Sequence, residues 1–182
     1  MAKGFRVHRL YGWQLNPGAL EHLDRTQWVG QCWRRQDGDW VLKDLGYTED
    51  WNAAKKNSVA RALKKNRKGR VFGYRDKGCI LAVASVGGKP LESGGQAKRL
   101  ELELLVVSKE LRGKGLGRAL FERCARFAKK AGAHRLYISS HSSRETVAFY
   151  KAMGCVVTHE LDPGLFYKEP FDVHLEFDLA NI

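Results

Sequence analysis

Cysteine is scarce in this chain of 182 residues, which has only four. Cys32, Cys79, Cys124 and Cys155 lie far apart and each has apolar neighbours. None of them forms a C-x-x-C pair or lies near a histidine at the spacing of zinc ligands. We therefore expect four buried free thiols, rather than disulfides or a metal site.

Long apolar runs are also missing. No run of about eighteen uncharged apolar residues occurs, so the sequence predicts no membrane span. The first ten residues mix basic with scattered apolar side chains and lack the apolar run of a secretory signal. We find no internal repeat, low-complexity tract or interdomain linker. The length suits one hydrophobic core, so we expect a single cytoplasmic domain over residues 1–182.

Acidic residues are absent from residues 51–75, although this segment contains nine lysines and arginines. Residues 109–130 contain eight basic and two acidic residues, within a chain of net charge +12. Such clustering indicates attraction to a phosphorylated cofactor, a nucleic acid or an anionic surface. Solvated helix faces would explain many of the individual lysines equally well.

Short strands and helices alternate along the chain. Strands are predicted at residues 27–33, 40–42, 70–75, 79–86, 99–107, 135–139, 155–161 and 173–179. Helices are predicted at residues 51–66, 115–131 and 144–153. Thr48 is the expected cap of the first helix. This order favours an α/β or α+β fold around one mixed sheet.

The strand at residues 99–107 alternates clearly. A period of two places Leu100, Leu102, Leu104 and Val106 on one face. It places Glu101, Glu103, Leu105 and Val107 on the other face, unless a bulge breaks the register.

A glycine-spaced turn follows this strand and leads into the second helix. Glycines at positions 113, 115 and 117 let the backbone approach a phosphate, and the free N–H groups of the first helical turn face it. Arg112, Lys114 and Arg118 add positive charge. The pattern is neither a dinucleotide fingerprint, because position 118 is not glycine, nor a Walker A loop. Its spacing alone fits equally well a turn whose glycines only satisfy backbone geometry.

Two segments resemble motifs of the GNAT superfamily of N-acetyltransferases. The residues from Arg112 to Gly117 (RGKGLG) match the family pattern Arg/Gln-x-x-Gly-x-Gly/Ala between a strand and a helix. The residues from Ala148 to Gly154 (AFYKAMG) are similar to the family pattern F/L-Y-x-x-x-G-F and follow a strand in both cases. The resemblance covers roughly residues 71–161.

This resemblance implies a GNAT-type fold with a mixed, mostly antiparallel central sheet flanked by helices. Residues 69–161 would form the core that binds acetyl-CoA as a cosubstrate, without a metal. Residues 1–65 would be a divergent acceptor-side region, and residues 162–182 would supply a C-terminal strand.

The resemblance also implies roles for individual residues. Tyr150 takes the place of the tyrosine that protonates the departing thiolate, which suits a phenol because it is a weak acid. Ser143 stands where many relatives have an asparagine that contacts the coenzyme, although it is equally suited to cap the next helix. The remaining expected coenzyme contacts are Leu105, Val106, Val107, Arg112, Gly113, Lys114, Gly115, Leu116, Gly117 and Arg118.

The base that deprotonates the acceptor is left open. In some relatives a glutamate on the central strand serves, which makes Glu101 and Glu103 the candidates, without a choice between them. His141 is a second candidate that we leave outside the catalytic set, because lone histidines are more often structural.

The expected function is direct transfer of an acetyl group from acetyl-CoA to a primary amine, since no cysteine is placed for a covalent intermediate. A small-molecule acceptor is expected, and a polycationic one is disfavoured by charge unless a local acidic pocket exists. One alternative is a nucleic-acid-binding module that uses the basic residues 51–75 with Trp51, Phe72 and Tyr74. Another is an acetyltransferase acting on a protein or a tRNA, and a homodimer is left open.

Overall fold

The computed structural model describes residues 5–92, 95 and 97–182. Residues 1–4 of the expected acceptor-side region and residues 93, 94 and 96 of a glycine-rich loop lie outside them. The strands are β1 His8–Leu10, β2 Gln27–Gln36, β3 Asp39–Glu49, β4 Arg70–Asp76, β5 Cys79–Val86, β6 Arg99–Val107, β7 Arg135–Ser140, β8 Val156–Val157 and β9 Val173–Asp178. The α-helices are α1 Ala53–Lys65, α2 Leu116–Lys130, α3 Arg144–Ala152 and α4 Pro163–Lys168.

Seven strands form one sheet in the order β1-β4-β5-β6-β7-β9-β8. Every neighbouring pair is antiparallel except β6 and β7, which are parallel. The α2 helix connects these two strands, as a parallel crossover requires. The predicted fold class, a mostly antiparallel mixed sheet with flanking helices, is confirmed.

The β2 and β3 strands form a separate hairpin beside the sheet. Its turn places Asp37 and Gly38 at positive φ, the geometry that matches the twist of a two-residue hairpin loop. The hairpin docks on the turn before α3, where the Trp33 N–H donates to the Ser142 carbonyl at 2.8 Å.

Two hydrophobic cores lie on the two faces of the sheet. The first contains the apolar face of α2, with Leu116, Leu120, Phe121 and Cys124. The second lies under α1 and the N-terminal segment and contains leucines 10, 15, 20, 23 and 63. The α1 helix buries only Ala60 and Leu63, so most of its basic side chains face solvent, as its composition predicts.

Several boundaries differ from the sequence predictions. Thr48 lies inside β3, and α1 is instead capped by Asn52, whose side chain accepts from the Lys55 N–H at 2.9 Å. The strand predicted at residues 155–161 shrinks to Val156–Val157. The strand β1 and the helix α4 were not predicted, because both are too short to show a period. Cysteines 32, 124 and 155 are buried as expected, but Cys79 is partly exposed.

Among the described residues, no helix is long and apolar enough to cross a membrane.

A buried ion pair joins β6 to β9. Arg99 Nη1 lies 2.6 Å from Glu176 Oε1, and both side chains are at most 3% exposed. The other Glu176 oxygen lies 2.6 Å from Arg135 Nη1 on β7. Removing one member of such a pair leaves an uncompensated charge in the interior.

We therefore predict that Glu176→Ala lowers the free energy of unfolding by about 3–5 kcal/mol. Urea denaturation measures this. The control is Glu122→Ala, because Glu122 pairs with Arg126 at 3.6 Å on the exposed surface of α2. That control is expected to change stability by less than about 1 kcal/mol. Equal effects of the two substitutions would contradict the prediction.

Candidate functional site

A large cleft opens where β6 and β7 separate. The two strands pair only from Arg99 to Glu101 with residues 135–137, whereas β6 continues to pair with β5 as far as Val107. One backbone edge of the later β6 residues therefore faces open space. The resulting cleft has a volume of about 890 Å³, which is large enough to bury most of a drug-sized ligand. The residues Leu105, Val106 and Val107 line it.

A β-bulge at Glu103 overturns the alternation predicted for β6. Ser85 pairs with Leu104 but Val86 pairs with Leu102, so the register shifts across Glu103. Leu100 and Leu102 consequently pack in the first core, whereas Leu104 and Val106 pack in the second. The prediction that these four residues share one face is wrong, because the extra residue reverses the facing of everything after it.

The two candidate glutamates are affected by the same bulge. Glu101 faces away from its neighbours Leu100 and Leu102, and Glu103 accepts a hydrogen bond from Asn66 at the end of α1. Both therefore face the α1 side of the sheet, not the side of Leu105 and Val107 on which they were placed. They still line the cleft, because its floor is the gap between the strands.

Glu101 and Glu103 differ in their exposure and in their hydrogen-bond partners. The Glu103 carboxylate is the more exposed one and accepts from Asn66 Nδ2 at 2.9 Å. The half-buried Glu101 carboxylate has no hydrogen bond or ion pair within the described part of the chain. Burial raises the pKa of Glu101 to about 7, and the neighbouring Glu103 carboxylate adds to the rise while Lys168 opposes it. Glu101 is therefore the carboxylate suited to exchange a proton near neutral pH.

The turn from β6 to α2 has an anion-binding geometry. Gly113 and Gly115 lie at φ of 72° and 86°, which other residues rarely adopt. The first helical bond runs from the Ala119 N–H to the Gly115 carbonyl, so the N–H groups of residues 116–118 have no partner within the helix. Their position at the helix N-terminus suits a phosphate.

The predicted coenzyme contacts in this turn fall into different environments. Lys114 and Arg118 are exposed, as a charged rim requires. The Leu116 side chain is fully buried, so only its backbone could reach a ligand. Gly117 serves packing, because a Cβ there would lie 3.1 Å from the Phe149 ring on α3.

The Arg112 side chain does not lie on the charged rim where it was expected. Its guanidinium donates to three backbone carbonyls, those of Val107 at 3.0 Å, Thr26 at 2.9 Å and Arg25 at 3.1 Å. Each of its three nitrogens therefore has a partner within the protein. A contact between Arg112 and a coenzyme stays a prediction.

Tyr150 lies on α3 against the cleft. Its ring is 6% exposed and packs on Phe121 and Phe149. Its hydroxyl makes no hydrogen bond to any described residue. Burial raises the pKa of Tyr150, with the Cys155 thiol as the next cause, so the phenol keeps its proton throughout the neutral range.

Ser143 caps α3 and does not reach the cleft. Its side chain is fully buried and accepts from the Thr146 N–H, while its hydroxyl lies 2.7 Å from Thr146 Oγ1. The structure shows the capping role that the sequence also allowed for Ser143, and a contact between Ser143 and a coenzyme stays a prediction. Thr146 itself lines the cleft.

His141 also lines the cleft, and both of its ring nitrogens have polar partners. Its Nδ1 accepts from the Ser143 N–H at 3.2 Å, so the neutral ring carries its proton on Nε2. That Nε2 lies 3.1 Å from the Tyr47 hydroxyl. These two bonds hold the imidazole between the Ser143 backbone and the hairpin.

Further carboxylates line the cleft that sequence reasoning did not single out. They are Glu49 at the end of β3, Glu145 on α3, and Glu169 and Asp172 in the segment before β9. Asp172 Oδ2 accepts from Ser139 Oγ at 2.9 Å. No local pattern marks these residues, because they meet only when the hairpin and the C-terminal segment close around the sheet.

The acetyltransferase (GNAT) family profile matches residues 21–155. This chain belongs to that family. No curated protein matches the sequence significantly. Among solved structures, nourseothricin acetyltransferase is 20% identical with a TM-score of 0.70, over 98% of this chain and 99% of that one.

Other GNAT structures share the fold. A proposed streptothricin acetyltransferase from Bacillus anthracis str. Ames, in complex with acetyl coenzyme A, is 12% identical with a TM-score of 0.68, over 96% of this chain and 99% of that one. An aminoglycoside 6'-N-acetyltransferase complexed with coenzyme A is 14% identical with a TM-score of 0.52, over 68% of this chain and 79% of that one.

We predict that Gly115→Ala lowers the affinity for coenzyme A and for inorganic pyrophosphate, because a Cβ at φ of 86° strains the turn. Isothermal titration calorimetry measures both affinities. The control is Gly78→Ala, which introduces similar strain at φ of 88° in the β4–β5 turn. Both variants are expected to lose about 1–2 kcal/mol of stability. Unchanged affinities in Gly115→Ala would contradict the anion-binding role of the turn.

Proposed function

We propose that this GNAT protein transfers an acetyl group from acetyl-CoA to a primary amine of a small molecule by direct attack. The observation that carries the proposal is that one cleft is lined by three kinds of functional group. It combines an anion-binding helix start, a neutral buried phenol at Tyr150 and a free carboxylate at Glu101 with a pKa of about 7. These are the groups that aminolysis of a thioester needs.

The coenzyme fits the turn in charge and shape. The free N–H groups of residues 116–118, with Lys114 and Arg118 exposed beside them, suit a pyrophosphate. The backbone of Leu105 to Val107 would bond the pantetheine arm along its unpaired edge. Residues 69–161 then form the coenzyme-binding core, while residues 1–65 and the C-terminal segment supply the acceptor side.

The residues of the cleft divide the proton transfers between them. Glu101 takes a proton from the acceptor ammonium, and the neutral amine forms a C–N bond with the thioester carbonyl carbon. As the C–S bond breaks, Tyr150 donates its proton to the departing sulfur. The phenolate then recovers a proton from the nitrogen as it becomes an amide nitrogen.

Direct attack is favoured over a cysteine intermediate. Burial raises the pKa of Cys155 to about 12 and also raises that of Cys124, so both thiols stay protonated and weakly nucleophilic. None of the four cysteines lines the cleft.

The acceptor that suits the cleft best is a small cationic amine. Three carboxylates of the cleft lining, Glu49, Glu169 and Asp172, form what we call the acceptor wall. Glu49 is paired with Arg25 at 2.9 Å, whereas no lysine or arginine lies within ion-pair distance of Asp172 among the described residues. The positive net charge of the chain disfavours a polycationic acceptor, but a local acidic pocket of this kind attracts a cation and reverses that expectation. The nourseothricin and streptothricin named for the similar structures are the first acceptors to test.

The nucleic-acid alternative loses part of its aromatic support. Phe72 is 7% exposed in the first core, so its ring is not available to stack on a base. Tyr74 is half-buried and packs edge-on against Phe5 at 5.1 Å, and Trp51 lines the cleft. The charge of α1 remains exposed, and binding to mixed RNA at two salt concentrations tests it.

We predict that Tyr150→Phe lowers kcat by about 10²–10⁴-fold, because the departing sulfur loses its acid. The measurement is thiol release from acetyl-CoA with nourseothricin, spermidine and butylamine as acceptors. The control is Tyr167→Phe on α4, whose ring is 82% exposed. Native kcat in Tyr150→Phe would remove Tyr150 from the acid role. Absence of turnover by the native protein, across a wider amine panel, would overturn the proposed function.

We also predict that kcat/KM falls as the pH drops below about 7, because Glu101 must be ionised to accept a proton. Glu101→Gln is expected to lower kcat/KM and to remove this inflection from the pH profile. Glu103→Gln removes the neighbouring negative charge, so it is expected to keep the inflection at a lower pH. An unchanged inflection in Glu101→Gln would assign the base elsewhere.

A further inference from the structure

The Arg112 side chain connects the phosphate turn to the acceptor wall. Arg112 immediately precedes Gly113, and its Nε donates to the Val107 carbonyl at the end of β6. Its two terminal nitrogens donate to the carbonyls of Arg25 and Thr26, more than eighty residues earlier in the chain. These two residues lead directly into the β2–β3 hairpin.

The hairpin continues this connection into the cleft. Arg25, whose carbonyl Arg112 holds, places its own Nη2 2.9 Å from Glu49 Oε2 and its Nη1 3.0 Å from Gln27 Oε1. Gln27 and Glu49 are the pair that closes the open end of the hairpin. All of these side chains line the cleft. The position of the Glu49 side chain therefore depends on that of Arg25, which depends in turn on Arg112.

We propose that Arg112 is a positioning residue that couples coenzyme binding to the order of the acceptor wall. The inference rests on the proposed function, in which the coenzyme binds the backbone of Gly113 to Gly117. A ligand on that backbone fixes the adjacent Arg112, and the guanidinium passes the constraint to Arg25 and Glu49. Because binding linkage is reciprocal, an acceptor on this wall strengthens coenzyme binding to the same extent.

This role requires a guanidinium rather than a positive charge alone. The planar fork presents several donors in fixed directions, so one side chain holds three carbonyls at once. An ammonium on a flexible stem cannot reproduce that arrangement. Arg112→Lys therefore separates the positioning role from simple attraction of a phosphate.

Arg112 is not the only residue that attaches the segment before the hairpin to the phosphate turn. The Lys109 N–H donates to the Asp24 carbonyl at 2.9 Å, and the Asp24 N–H donates to Ser108 Oγ at 3.1 Å. These bonds keep the chain before the hairpin attached to the turn when the guanidinium is removed. We expect Arg112→Gln and Arg112→Lys to fold.

Hydrogen–deuterium exchange with coenzyme A as the probe tests the coupling without an identified acceptor. In the native protein, saturating coenzyme A is expected to slow exchange about fivefold or more in the amides of residues 25–49. In Arg112→Gln and in Arg112→Lys this slowing is expected to disappear. Calorimetry is expected to show coenzyme affinities within about threefold of the native value, because the backbone N–H groups of the turn remain.

Lys114→Gln provides the matched control on the same turn. It removes an exposed charge without a contact to the hairpin, so it is expected to weaken coenzyme binding about two- to fivefold and to preserve the slowing. Native-like slowing in both Arg112 variants, or in Arg112→Lys alone, would overturn the coupling. Coenzyme binding by the native protein without any response of residues 25–49 would overturn it and leave the proposed function standing. Failure of the native protein to bind coenzyme A would overturn both.

Discussion

The loss of pairing between β6 and β7 after Glu101 is the constraint on which the site depends. Up to that residue the two strands are ordinary parallel neighbours, and the buried pair of Arg99 and Glu176 holds the sheet together beside them. Beyond it, β6 has one partnered edge and one open edge. A closed sheet would satisfy those backbone groups internally, so the gap both creates the cleft and leaves polar backbone available to a ligand.

The lining of the cleft carries charges of both signs. It combines the start of α2 and Arg118 with the carboxylates Glu49, Glu169 and Asp172. It also contains a phenol that burial keeps protonated and a glutamate whose pKa is raised to about 7. The net charge of the chain does not reveal these carboxylates, because α1 alone carries five basic residues, of which only Lys55 lines the cleft.

Much of the coenzyme side could be predicted from local sequence. The strand, the glycine turn and the helix around residues 99–131 have a strong period and clear end signals, and Tyr150 lies in a second local motif. The proposed acceptor side could not be predicted, because Glu49, Ser139 and Asp172 come from three distant segments and meet only through tertiary packing. The bulge at Glu103 was equally hidden, since the extra residue leaves the alternating pattern of leucines unchanged in sequence.

The signature residues illustrate the same division. Sequence by itself indicated a glycine turn at residues 113–117, because positive φ is a local property of glycine, and the structure places Gly113 and Gly115 in that region. It also determined that a helix would begin there. Only the tertiary structure decided that the Arg112 guanidinium binds the carbonyls before the hairpin. The reason is that a side chain's donors go to whichever acceptors packing brings within reach, and the sequence does not list those neighbours.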